Sequence, residues 1–166
     1  RMLRGEAELA GLRQRWVEQV PLAITLLTVA LVPAVCEELA CRGLLVGALA
    51  RRLSVVATVL VSATLFALLH LSVVRFAPTL LLGAVLAAVR VRTREVWSPM
   101  LIHLLNNAAA LVAIASPGAA WVAWIGNHPG LAFVLAAGGA ATGMAILVVA
   151  TRNSASPARA EVIELR

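Results

Sequence analysis

VPLAITLLTVALVPAVCEELACRGLLVGALA, residues 20–50, is apolar apart from Glu37, Glu38 and Arg42. A bilayer core about 30 Å thick needs about 20 apolar residues to cross it as a helix, and this run is long enough. Pro33 lies inside it and predicts a kink, because a proline removes one backbone donor and crowds the preceding turn. Glu38 and Arg42 stand at i and i+4, share a helix face and can neutralise each other. Glu37 points about 100° away from Glu38, without a partner in its own helix.

Outward from this stretch the same pattern repeats. Further apolar spans are expected at 53–74, which contains His70, and at 76–89, with Pro78 in its first turn. Another is expected at 97–114, with Pro99 where helix starts tolerate it, and a fifth at 131–150, after a Ser–Pro–Gly break and a Trp-rich stretch. Trp16, Trp97, Trp121 and Trp124 fall near span ends, as interfacial anchors do. The expected fold is all-α, a polytopic membrane bundle of about five spans. Residues 1–19 read as a juxtamembrane amphipathic arm, 20–150 as the membrane domain, and 151–166 as a loose polar tail. The opening Arg1 leads us to expect further spans upstream in a longer protein. Gly43-x-x-x-Gly47 and Gly139-x-x-x-Gly143 fit the small-residue spacing of close helix packing. The arginines of the arm and Arg75 fall on one side. Arg51, Arg52, Arg90, Arg92, Arg94 and the tail arginines fall on the other, which is read as cytoplasmic.

Composition points the same way. The chain has 166 residues, 61% of them hydrophobic and 13% charged, against about 45–50% and 25% in soluble domains. Every base is Arg and every acid is Glu; Lys, Asp and Tyr do not occur. An aspartyl dyad, an Asp-based triad, a Ser–Lys dyad, a Schiff base and a P-loop lysine are therefore excluded. The net charge of +6 does not indicate nucleic acid, since the arginines punctuate apolar spans instead of forming a basic stripe. Cys36 and Cys41 are too far apart along a helix to bridge.

An ionisable side chain at mid-bilayer costs from about 2.5 to over 10 kcal/mol, so each needs a reason to be there. Glu37, Glu38, Arg42, His70 and His103 are such residues, with Asn106 and Asn107 beside them. Phe66 and His70 are i, i+4, as are His103 and Asn107, so each motif presents one helix face. The simplest arrangement has three helices converging on a pocket faced by Glu37, His70, His103 and Asn107. A glutamate beside a histidine can take a proton from water, and a second histidine with an amide can hold the oxygen of a tetrahedral intermediate. Equally, Glu37, His70 and His103 can hold zinc, which would activate the water instead. Rise along the helices sets His70 about 25 Å into its span and His103 about 9 Å into its own, an offset in depth.

Three motifs occur in order: E-E-x-x-x-R at Glu37–Arg42, F-x-x-x-H at Phe66–His70 and H-x-x-x-N at His103–Asn107. Together they resemble the CPBP family, the type II CAAX prenyl endopeptidases and their bacterial bacteriocin-processing relatives. The motif-bearing core runs over 31–115. The resemblance implies an intramembrane endopeptidase of the glutamic type, a class first described as metalloproteases. It assigns water activation to Glu37 and His70, the oxyanion hole to His103 and Asn107, and a supporting role to Glu38, Arg42 and Phe66. No cofactor is expected; the chain has no H-E-x-x-H pair, which disfavours zinc. The expected partners are the lipid bilayer and a membrane-associated protein or peptide cut near its C-terminus, and the Ala-, Arg- and Val-rich composition points to a bacterial inner membrane. A non-catalytic immunity or scaffold protein that keeps the pocket, and a transporter fragment using it as a proton relay, are the other readings.

Overall fold

The structure is a computed structural model and describes residues 2–116 and 118–128, all of whose regular elements are helices. Helix α1 runs over Met2–Gln19 and stops at Val20–Pro21. Helix α2 is continuous over Leu22–Leu49, 28 residues. Helix α3, Val55–Leu69, starts on Ser54, whose hydroxyl accepts the Ala57 amide at 3.3 Å, a standard N-cap. Helix α4, Val73–Thr93, is started in the same way by Ser72, which accepts the Arg75 amide at 3.2 Å. Helix α5 covers Trp97–Ala115; in its first turn the Glu95 carboxylate accepts from the Ser98 amide and hydroxyl. Helix α6, Ala120–Asn127, forms from the Trp-rich stretch.

By length and hydropathy α2, α4 and α5 can cross a membrane; α3, with 15 residues, is shorter, about 22 Å at helical rise. The expected span 53–74 is therefore corrected. Its helix ends at Leu69, and His70–Ser72 form a turn in which Leu71 takes φ 48°, a left-handed conformation costly for a branched side chain. Pro78 falls in the second turn of α4, which begins at Val73. The expected span 131–150 and tail 151–166 lie outside the described residues.

Two wide π-turns interrupt α2, at Leu26–Leu31 and Leu39–Leu45. In the first, the Val32 amide bonds the Leu27 carbonyl, five residues back; Pro33, which has no amide to donate, follows at once. At the place where a kink was expected, the helix widens ahead of Pro33 and continues. The second carries Cys41 and Arg42, directly after Glu37 and Glu38.

Small residues form much of the core: Ala30, Ala34, Ala63, Ala67 and Ala87 are buried. Exposed leucines and valines cover the outside of α2, α3 and α5, a surface suited to hydrocarbon. Close approach occurs at Gly83 of α4, where an added Cβ would meet Phe66 Cδ1 at 3.0 Å and the Ala63 backbone at 3.2 Å. Gly43 and Gly47, the pair expected to pack closely, have nothing within 4 Å of such a Cβ. Gly83→Ala is thus expected to destabilise the protein by roughly 1–3 kcal/mol through overpacking against α3. Gly47→Ala should instead stabilise it by roughly 0.5–1 kcal/mol, the helical preference for Ala. Thermal unfolding of both variants in detergent checks the pair; equal shifts would refute the contrast.

Candidate active site

The second π-turn of α2 seats Arg42 against α4. Arg42 is buried, its Nη1 donates to Glu38 Oε1 at 2.8 Å and its Nη2 donates to the Gly83 carbonyl at 3.0 Å. Its guanidinium carbon lies 4.3 Å from the centre of the Phe66 ring, a cation–π contact. The absence of a Cβ at Gly83 lets the Phe66 ring come close to its backbone. Glu38, fully buried, shares Oε1 with a second donor: His103 Nδ1 lies 2.9 Å away. One carboxylate thus ties α2 to α5, and Arg42 ties the same helix to α4. The i, i+4 ion pair expected from spacing is present, with α4 and α5 built onto it.

Glu37, about 100° round the helix from Glu38, approaches His103 at the other ring nitrogen. Its Oε2 lies 3.9 Å from His70 Nε2 and 3.9 Å from His103 Nε2. Both histidines are oriented by their other ring nitrogen: His70 Nδ1 is 2.9 Å from the Phe66 carbonyl, and His103 Nδ1 is on Glu38. A carbonyl only accepts, so His70 Nδ1 carries a proton, and in the neutral ring Nε2 is the acceptor that faces Glu37. Phe66 stands edge-on to both imidazoles, with centroids at 4.8 and 5.5 Å. A cavity of about 150 Å³ opens here, lined by Glu37, Cys41, Phe66, Leu69 and His70.

The two histidines, expected at different depths, meet at one carboxylate: His70, the C-cap of α3, and His103 of α5 each lie 3.9 Å from Glu37 Oε2. Asn107 lies one turn beyond His103 on α5. Among the described residues its side-chain hydrogen bond is with Asn106, whose Nδ2 donates to Asn107 Oδ1 at 3.4 Å, not with a site group. His128 is exposed in the structure and stacks on Trp124.

Cys41 and Gly83 are site residues that the sequence reading missed. Cys41 follows Glu37 by one turn, a spacing that was available; Gly83 has no Gly-x-x-x-Gly partner, although Thr79, Gly83 and Ala87 fit the looser small-residue spacing. Both cysteines are free. Zinc takes histidine nitrogens and carboxylate oxygens at about 2.0–2.2 Å. Among the described residues no group of three or more His, Cys, Asp or Glu side chains is disposed to hold a metal ion. As placed, Glu37, His70 and His103 do not make a zinc site, and no step below runs through a metal.

No curated protein and no solved structure matches the chain. A family pattern does: that of the Rce1-like type II CAAX prenyl endopeptidases matches residues 19–109. That segment begins just before α2 and ends two residues past Asn107, so all three polar motifs lie within it. This chain is a membrane-helical member of the Rce1-like type II CAAX prenyl endopeptidase family, a family of CAAX-type intramembrane proteases.

Proposed function

We propose that the protein is an intramembrane endopeptidase of the glutamic type. It cuts a peptide bond near the C-terminus of a membrane-associated protein or peptide, in a bacterial inner membrane. The observation that carries the reading is the unengaged carboxylate. Glu37 Oε2 is buried without a hydrogen-bond partner and is equidistant from two histidine nitrogens. A gap of 3.9 Å is too wide for a hydrogen bond and suits a bridging water.

Glu37 takes a proton from that water, with His70 Nε2 accepting its second hydrogen and fixing its direction. The hydroxide attacks the substrate carbonyl, and the negative oxygen that forms needs donors from the far side. His103, whose Nδ1 is held by Glu38, donates from Nε2 in the form that carries a proton on both ring nitrogens. Asn107, whose oxygen is already taken by Asn106, offers its Nδ2 hydrogens. Glu37 then returns its proton to the leaving amine. Glu38, Arg42 and Phe66 hold this set in register. The composition supports the bacterial setting, and the exposed apolar surface supports contact with lipid.

Cleavage of a quenched peptide library by the purified protein in detergent tests the proposal, with wild type beside His70→Ala and with or without a zinc chelator. Cleavage that survives the chelator and falls about 10²–10⁴-fold in the variant is expected, the usual range for losing one acid–base group. Unchanged turnover in His70→Ala would overturn its assignment. Loss to chelator with rescue by zinc would overturn water activation by Glu37 and His70.

A further inference from the structure

Arg90 lies outside every motif singled out above, yet it touches the site helix at its most irregular point. In a regular α-helix the Val46 amide bonds the carbonyl four residues back, that of Arg42. Here it bonds Cys41, five residues back. The Arg42 carbonyl is released by the π-turn, and Arg90 Nε of α4 donates to it at 3.0 Å. A carbonyl left unpaired in an apolar interior is costly, so a π-turn there needs such a donor.

The same helix holds the Arg42 side chain. Gly83 accepts from Arg42 Nη2 at 3.0 Å, and Gly83 and Arg90 are i, i+7, two turns apart on one face of α4. Leu86 and Ala87, fully buried, fill the space between. Helix α4 therefore grips Arg42 at both its guanidinium and its carbonyl. Because Glu37 and Glu38 stand just before the π-turn and Cys41 and Arg42 within it, its extra width sets the rotation of the Arg42 side relative to the Glu37 side.

We propose that Arg90 is a positioning residue for the peptidase: by donating to the released Arg42 carbonyl it keeps the π-turn wide, and so keeps Glu38 under His103 and Glu37 between the two histidines. The inference rests on the proposed catalytic role of Glu37. A side chain of similar length without a donor lets the turn relax toward regular helix. A misplacement of about 1 Å at such a site costs on the order of 10² in rate.

Two readouts test this. Arg90→Met is expected to lower kcat about 10²-fold with KM little changed, and Arg90→Lys, which restores a donor, to recover a large part of the loss. Separately, carbonyl-13C arginine with 15N glycine labels two directly bonded pairs, Arg4–Gly5 and Arg42–Gly43. Arg90→Met should move the Arg42 carbonyl resonance and leave that of Arg4 in place. An unmoved Arg42 resonance, a kcat equal to wild type, or a loss that merely follows the amount of folded protein would each overturn the proposal. The carbonyl measurement does not involve peptide cleavage, so it still decides the Arg90 contact if Glu37→Gln proves active and the peptidase reading fails.

Discussion

Glu37→Gln is expected to yield a folded protein that no longer cleaves peptide, with kcat/KM down by about 10²–10⁴ or more, since the general base is removed outright. Two carboxylates stand side by side in this sequence, and only one is free for chemistry. Glu38 is fully buried and its Oε1 is shared between Arg42 and His103, so that oxygen is already occupied. Glu37 is 37% exposed at its side chain, and its contacts to His70 and His103 are 3.9 Å long. Glutamine has the same shape and removes only the charge and the basic oxygen. Unfolding temperature in detergent should therefore stay close to wild type while turnover disappears. If cleavage continued at more than a tenth of the wild-type rate, Glu37 would not be the base. If the variant failed to fold, the carboxylate would be structural.

The contrast between neighbouring glutamates was legible from spacing, because Glu38 and Arg42 share a helix face at i, i+4 and Glu37 is turned away from it. So was the convergence of three helices, since unpaired polar side chains in apolar spans require one another. The end of α3 was harder to see. Leu71, Val73 and Val74 continue the hydrophobicity past His70, and Ser72, which caps α4, is a single weak signal of a break. Hydropathy measures the solvent preference of a segment and not whether the chain turns within it. The same limit hid Gly83 behind the better-spaced Gly43 and Gly47, because close approach depends on which helix lies opposite. Arg90 read as one of the basic residues that mark a membrane boundary, and its main-chain partner exists only because α2 widens into a π-turn, for which apolar periodicity carries no signal.

Arg42→Met is the substitution expected to cost most in stability, about 3–5 kcal/mol, because it removes one partner of a buried ion pair and strands the other. Glu38 would be left in an interior with no solvent, with His103 Nδ1 as its remaining partner, and the Gly83 carbonyl would lose its donor. Folded protein recovered after solubilisation should fall sharply. Adding Glu38→Gln to Arg42→Met should then restore much of that yield, since a neutral pair avoids the desolvated charge altogether. Activity should not return with it. In the double variant a neutral amide stands where the carboxylate that orients His103 was, and the carbonyl of Gly83 has no guanidinium to draw α4 and α2 together. A double-mutant cycle read by thermal unfolding and by cleavage in parallel separates the two effects: a coupling energy large for stability, with activity lost in all three variants, is the expected pattern. If the double variant regained cleavage together with its fold, the buried Glu38–Arg42 pair would be a structural staple alone, and the orientation of His103 would have to come from elsewhere in α5.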